Sequence, residues 1–440
     1  MTYFYKNSIM ASRRSKSQSN NLADPNSIMV SGPINVLRLE GGINGVKKVI
    51  YLFMDYHVEV DEQLQCSNVF STDVQKYFAE SFYDLNGDNE DITYDFFLEI
   101  YPSELTGRHD RGDFDGPELK DHYIEEVVKF FRKIFNYDPK KNRVVSNQMF
   151  SKIRLHYLDV RNYYEANINE VNKEIASIVE AFVESNNIPT DDLQEVVHQL
   201  DRLKRHLILV LDVLSTKPKV ISKSRIINGS REEEREINEM PNVDTMIYLT
   251  DKIKNIYSDK RIQTVMNELL AQSINNFKHT IEDIDSIKKT LKRYIKTLDD
   301  TDQRLIKDSN SSYIYTYGLS EVSKRNIITN IVNETDVLAD EKVVEFFARF
   351  TDIYFLRRFL DKPYITNAIV YCGAMHTNTY VHTLVNKFNF KITHASYSKG
   401  SIADLNSQVK RRSLMEIREL ILPPEFSQCS DLTNFPKKFA

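Results

Sequence analysis

The chain has no tryptophan and only 12 glycines in 440 residues, against 24 tyrosines and 24 phenylalanines. That imbalance, together with abundant Ile, Asn and Lys, reads as coding by an AT-rich genome rather than as a demand of the fold. It also has only three cysteines, Cys66, Cys372 and Cys429. They are too few and too scattered for a disulfide framework or a thiolate metal site, so a reducing compartment is the expected setting. A large positive charge is missing too: 63 acids outweigh 58 bases for a formal net charge of -5. Such a chain has no long-range positive field of the kind that dominates phosphate-backbone binding, which makes nucleic acid an unlikely general partner while leaving room for a local basic patch. Long apolar runs are absent as well. The longest, LILVLDVL at 207–214, is too short to span a bilayer and contains an Asp. The start, MTYFYKNSIM, lacks a basic stretch followed by an apolar one, so neither a membrane nor a secretory role is expected.

What is present is an ordinary globular composition, 41% hydrophobic and 28% charged, with enough length for two or three domains. Residues 1–33 are polar, Ser/Asn-rich and aperiodic, and are expected to form an N-terminal tail. Strand and helix patterns then alternate over 34–161: INVLRLE, the turn GGING, KKVIYLFM, the helical VQKYFAESFYDL, YDFFLEIY, the helical ELKDHYIEEVVKFFRKIF and KIRLHYLDV. From 162 to 362 apolar residues recur at spacings of three and four, far longer than any crossover needs, which predicts a large helical insertion placed as a cap. Strand NAIVYCGAMH, a helix and KITHAS resume the sheet over 363–400, and 401–440 reads as a C-terminal tail. The predicted fold class is α/β, a mainly parallel sheet with flanking helices and an all-helical insertion.

In open parallel sheets ligands bind where strands give way to loops at their carboxyl ends. The first long strand ends in MDYHVEV, which delivers Asp55, His57 and Glu59 at every second position. The next carries Glu99, and KIRLHYLDVR delivers Asp159 and Arg161, with His156 on its other side. Strand 367–372 runs into Gly373 and then His376, just before a helix whose first backbone N–H groups favour an anion. Two imidazoles and several carboxylates converging on one edge have the composition of a general acid/base pair or of a site for a divalent metal ion. Asp159 and Arg161 are candidates for binding a substrate anion through the guanidinium fork, although an ion pair closing the strand explains them more simply. Cys372 reads as a buried, inert thiol, and a nucleophilic role would require His376 as its base. The loop LTGRHDRGDFDG at 105–116, which contains His109, is placed as a polar rim.

The stretches MDYHVEVDEQLQ, FFLEIYP and VYCGAMHTNTYVHTL resemble the erythromycin-esterase, ChaN and TraB/TIKI superfamily, whose members show Gly-Glu-x-His at a strand end, a strand carrying Leu-Glu, and a late Gly-x-x-His before a helix. His57, Glu99 and His376 fall on those positions, with Met54 in place of the Gly and Asp55 in place of the Glu. The resemblance implies a hydrolase, a metal-dependent protease or a haem binder. It makes His57 and His376 candidate catalytic residues together with Asp55 and Glu59, and His57, Glu99 and His376 candidate ligands of a divalent metal. LEGGINGVKKVIYLFMDYH and RLHYLDVRNYY also resemble uncharacterised proteins of giant nucleocytoplasmic DNA viruses. That resemblance implies an infected host cytoplasm or a virion as the location. The expected function is a hydrolase-like enzyme, with or without assistance from a metal ion, acting on a small molecule or peptide. The rival expectation is a non-catalytic viral structural or interaction protein that binds a protein partner through the helical insertion. A third option is a basic helical face around LDRLKRHL or IKKTLKRYIK that would hold nucleic acid.

Overall fold

A computed structural model of the protein describes residues 26–57, 66, 68–87, 92–99, 123–135, 137–138, 143–144, 149–215, 243–308, 319–425 and 427–439. In chain order the strands and helices are β1 (Met29–Ser31), β2 (Asn35–Ile43), β3 (Val46–Asp55), β4 (Thr72–Asp73), α1 (Val74–Asp84), β5 (Tyr94–Leu98), α2 (Tyr123–Phe135), β6 (Tyr137–Asp138), β7 (Arg143–Val144) and β8 (Ile153–Tyr157). There follow α3 (Asn162–Ser185), α4 (Thr190–Ser215), α5 (Val243–Asn255), α6 (Lys260–Asp308), α7 (Glu321–Asp336) and α8 (Val344–Asp361). The chain closes with β9 (Asn367–Gly373), α9 (Ala374–Phe388), β10 (Lys391–Ala395), α10 (Ile402–Val409), α11 (Leu414–Ile421) and β11 (Cys429–Asp431).

These elements fall into two compact units. One comprises Met1–Val160, Tyr257–Val265 and Thr351–Ala440; the other comprises Arg161–Ile256 and Met266–Phe350. The first holds a six-stranded sheet in the order β10-β2-β3-β9-β5-β8. The pairs β3/β9, β9/β5 and β5/β8 are parallel, whereas β10/β2 and β2/β3 are antiparallel. The sheet is therefore mixed rather than mainly parallel, because β2 runs against its neighbours. The cause is local: GGING closes a two-residue hairpin in which Asn44 (φ 51°) and Gly45 (φ 80°) both take left-handed backbone, the requirement of the tight turns that join antiparallel strands. β3 and β9 lie in the middle of the sheet and read as nearly unbroken apolar runs, as strands covered on both faces do.

On one face of the sheet α1 and α2 present phenylalanines at helical spacing. Phe78, Phe82, Phe131 and Phe135 pack with Phe53, Phe96, Phe150 and Tyr371 in a single aromatic core. Asp73 starts α1 by accepting the backbone N–H of Gln75 at 2.8 Å. A further aromatic cluster joins Phe97 of β5 to Phe355 of α8, which in turn packs on Tyr380 of α9.

Two stretches expected as tails are structured. Residues 29–31, inside the expected 1–33 tail, form β1, whose partners β11 and β4 come from distant parts of the chain, so no local periodicity marks them. Residues 401–440 contain α10 and α11, each only eight residues long and opened by a serine, followed by β11. Ser401 accepts the backbone N–H of Asp404 at 3.1 Å, and Glu416 accepts that of Ser413 at 2.8 Å. Cys429 of β11 is disulfide-bonded to Cys66, 363 residues away, a pairing that the expected reducing setting did not anticipate.

The second unit is helical. Ile168, Val171, Ile175, Val179 and Phe182 of α3 form a buried stripe facing α4, which buries Leu193, Val196, Leu200, Leu203, Leu207 and Val210. LILVLDVL is thus a core stripe of α4, and no described helix is long and apolar enough to cross a membrane. Phe277 of α6 stacks on Phe346 with ring centroids 3.8 Å apart. The 105–116 loop and its His109 lie outside the described residues, as does Glu59.

Candidate functional site

Four of the sequence-selected side chains meet at the carboxyl ends of β3, β5 and β9. The register fixes this, because Asp55 pairs with Gly373 and Leu98 with Tyr371, so the last residues of three parallel strands are neighbours. Asp55 is 1% exposed. Its Oδ2 accepts the backbone N–H of His57 at 2.6 Å and faces His57 Nδ1 at 2.5 Å, while its Oδ1 accepts the Tyr371 hydroxyl at 2.7 Å. The shorter aspartate therefore closes a local turn onto the histidine two residues later. His57 needs that support: its φ of 53° lies in the left-handed region, which is uncommon for a residue with a side chain.

Glu99 follows β5 directly and extends the ladder, donating its N–H to Tyr371 O at 3.2 Å. Its carboxylate is divided. Oε2 accepts the Gly373 N–H at 2.7 Å and lies 3.7 Å from His57 Nε2, whereas Oε1 lies 3.2 Å from His376 Nε2. An anion at the N-cap position of α9 is the expected complement of a helix amino terminus. The other nitrogen of His376, Nδ1, is 2.7 Å from Asp352 Oδ1 on α8. Gly373 is required by this crowding: a Cβ there would sit 3.0 Å from His57 Nε2 and 3.5 Å from Glu99 Oε2.

The result is a row of charges of alternating sign, Asp55, His57, Glu99, His376 and Asp352. Burial, the largest single influence, pushes both imidazoles down. For His57 the hydrogen bonds and charges of Asp55 and Glu99 more than reverse it and raise the group to about 10. For His376 the charges of Glu99 and Asp352 do the same and raise it to about 9. Burial pushes Glu99 up, but the two imidazoliums hold it well below the usual carboxylate range. Both rings are therefore cationic at neutral pH and donate from both nitrogens. Burial and the Asp55 charge raise the Tyr371 phenol well above its usual range, so it remains a donor. Cys372 is pushed well up by burial and by Glu99, and its sulfur is 3.6 Å from Thr377 Oγ1, which leaves it a thiol with no free base.

The remaining expected residues are not among the partners of the charged row. Asp159 is 1% exposed and accepts a 3.4 Å hydrogen bond from Thr351. Arg161 is half-buried and belongs to the helical unit. His156 is held between Asp95, 2.6 Å from its Nε2, and Arg358, which donates to its Nδ1 at 2.7 Å; burial lowers its pKa. Among the described residues no group of three or more His, Cys, Asp or Glu is arranged to hold a metal ion.

Asp352 and Tyr371 were missed by sequence reasoning. Asp352 had a signal, a lone acid in the otherwise apolar and aromatic stretch FTDIYFL, but it fell inside the stretch read as insertion. Tyr371 looks like any strand aromatic.

Residues 28–440 match a family described as a family of unknown function, DUF5847. The chain belongs to that family. It is 49% identical over 428 residues to "Uncharacterized protein R706" of Acanthamoeba polyphaga mimivirus, covering 96% of this chain and 100% of the relative. It is also 34% identical to protein R161 of the same virus, over 94% of this chain and 99% of that relative, and 33% identical to R160 over 94% and 98%. The giant-virus resemblance is thus supported by relatives that span nearly the whole DUF5847 chain. No solved structure matches it.

Proposed function

We propose that this DUF5847 protein is a hydrolase-like enzyme in which His57 is the group that exchanges protons with substrate. One observation carries the reading: of the five side chains in the charged row, His57 is the accessible member, at 25% side-chain exposure, while Glu99 and His376 are at 4% and 5% and Asp55 and Asp352 at 1%. A row of fully buried charges would serve only to hold the strands together. This row reaches the surface at one member, the His57 imidazolium.

In the resting state His57 is protonated, so its first act is to donate from Nε2 to a developing oxyanion or leaving oxygen. That donation accompanies the attack of water on the substrate's electrophilic centre: the bond to the water oxygen forms, the bond to the protonated leaving oxygen breaks, and the ring, kept in one tautomer by Asp55 at Nδ1, takes up the water's proton and returns to its cationic form. Glu99 balances the cation before the proton moves, and His376 with Asp352 sets the charge and position of Glu99. The resemblance to the erythromycin-esterase, ChaN and TraB/TIKI superfamily supports the same chemistry at the same residues. The residues as they stand do not fit a divalent metal ion, because a metal-ligating imidazole is neutral, whereas both rings here are cationic and each of their nitrogens faces a carboxylate.

The test is turnover of a panel of esters, amides and phosphoesters by purified protein, run beside His57→Gln and with total metal measured. Turnover that falls at least a hundredfold in His57→Gln, at unchanged melting temperature, supports the proposal. A folded protein that turns over none of the panel, or whose turnover survives His57→Gln, overturns it and favours the reading as a viral structural or partner-binding protein.

A further inference from the structure

The two basic stretches singled out in the sequence, LDRLKRHL and IKKTLKRYIK, meet different fates within the helical unit. In the first, on α4, charges are neutralised by neighbouring helices: Arg202 donates to Glu174 at 2.8 Å, and Lys204 binds both oxygens of Asp285 at 2.7 and 2.6 Å. In the second, on α6, Lys288 is taken by Asp201. The rest is not. Among the described residues Lys289, Lys292, Arg293 and Lys296 form no ion pair; Arg293 reaches Thr290 Oγ1 at 3.1 Å and feels the charge of Glu334. All four are exposed.

Their spacing of three, one and three residues places them along one face of α6, over a rise of about 10 Å. With Asp285 and Lys288 they line a surface recess of about 480 Å³. The acid in that lining, Asp285, is already bound to Lys204. A chain of net charge -5 thus carries, on one face of α6, four cations that form no ion pair among the described residues.

We infer that this face of α6 docks the phosphate backbone of a duplex nucleic acid. The chemistry of the face selects that partner. A protein interface is anchored by buried aromatic and apolar side chains, and single strands are held by stacking on exposed aromatics. No large apolar side chain of α6 is exposed among the described residues. Three lysines and one arginine with no exposed large apolar side chain on their helix recognise charge density, which a duplex offers at about one negative charge per 1.7 Å of axis. Because the chain as a whole is acidic, the interaction is short-ranged, sequence-independent and steeply dependent on salt. It is independent of the His57 site.

The experiment is fluorescence anisotropy with a labelled 30-base-pair DNA duplex, titrated with full-length protein between 50 and 200 mM NaCl. Contacts from about four cations give a log–log salt slope of about -3 to -4, or roughly a hundredfold weaker binding across that range. Replacing Lys289, Lys292 and Lys296 by Glu, and separately by Gln, is expected to weaken binding at least tenfold, while replacing the same three by Arg preserves it. The substituted side chains are exposed, and the Gln set retains the test if the Glu set fails to fold. No binding at 50 mM NaCl, equal binding by the wild type and the Gln set, or tighter binding to anionic lipid vesicles than to the duplex would each overturn the inference.

Discussion

Glu99 Oε1 and His376 Nε2 stand 3.2 Å apart, both almost wholly buried, while the other oxygen of the same carboxylate faces His57. One acid thus separates two imidazoliums. Replacing it by Gln removes the anion that lies between the accessible His57 and the buried His376, and losing one partner of a buried ion pair such as Glu99–His376 costs about 3–5 kcal/mol. Urea unfolding of Glu99→Gln is expected to show a loss of that order, and NMR titration of the histidine ring protons is expected to show both imidazoles losing their protons nearer neutrality. Histidine titrations identical to wild type would mean that Glu99 does not hold these charges.

Gly373→Ala tests the crowding at the strand end. The added methyl would meet His57 Nε2 at 3.0 Å and Glu99 Oε2 at 3.5 Å, so the imidazole must give way. Overpacking of this kind costs about 1–3 kcal/mol. We expect a modest fall in melting temperature with a much larger fall in any turnover that depends on His57. Loss of stability and turnover in equal proportion would argue for a general folding defect instead.

The pH dependence of stability has a worked sign. His57 and His376 are raised in the folded state to about 10 and about 9, so their contribution is complete below the unfolded histidine pKa of about 6.5 and is lost as pH rises through those two values. Glu99 is lowered, so its contribution is complete above the unfolded value of about 4.5 and is lost as pH falls. His156 is lowered as well, and it opposes acidification below about 6.5. Melting temperature measured from pH 4 to 10 is expected to peak between about 5 and 7 and to decline steadily on the alkaline side. In the His57→Gln/His376→Gln double variant that alkaline decline is expected to flatten; an unchanged slope would place its origin elsewhere.

The hairpin at Asn44–Gly45 and the strand-end position of His57, Glu99 and His376 were legible because each is a local signal, an apolar run broken by a polar residue or a turn pair that needs left-handed backbone. Residues whose role depends on distant pairing were not. Asp352 sits in a helix, and nothing in FTDIYFL says which histidine it will meet. The mixed character of the sheet escaped for a related reason, since the reversal of β2 was implied by its own hairpin but outweighed by the alternation of strands and helices around it. β1 and β11 are three residues each, and only pairing with distant segments, each other and for β1 also β4, makes them strands.

The Cys66–Cys429 bond is the covalent one of these pairings and the most directly testable. It joins the connection that follows His57 to β11 across 363 residues. In the chain-entropy account a cross-link over so long a loop restricts the unfolded ensemble by up to about 5 kcal/mol, an upper figure because engineered and natural bonds often deliver less. Calorimetry of the oxidised protein against protein treated with a dithiol reductant, and against Cys66→Ser, is expected to show the same fall in melting temperature for both, with no additional effect of reductant on the variant. The buried thiol of Cys372 serves as the internal control, because it adds no mass under a thiol-alkylating reagent until the chain unfolds. Two alkylated cysteines in the native, unreduced protein would show that the bond does not form.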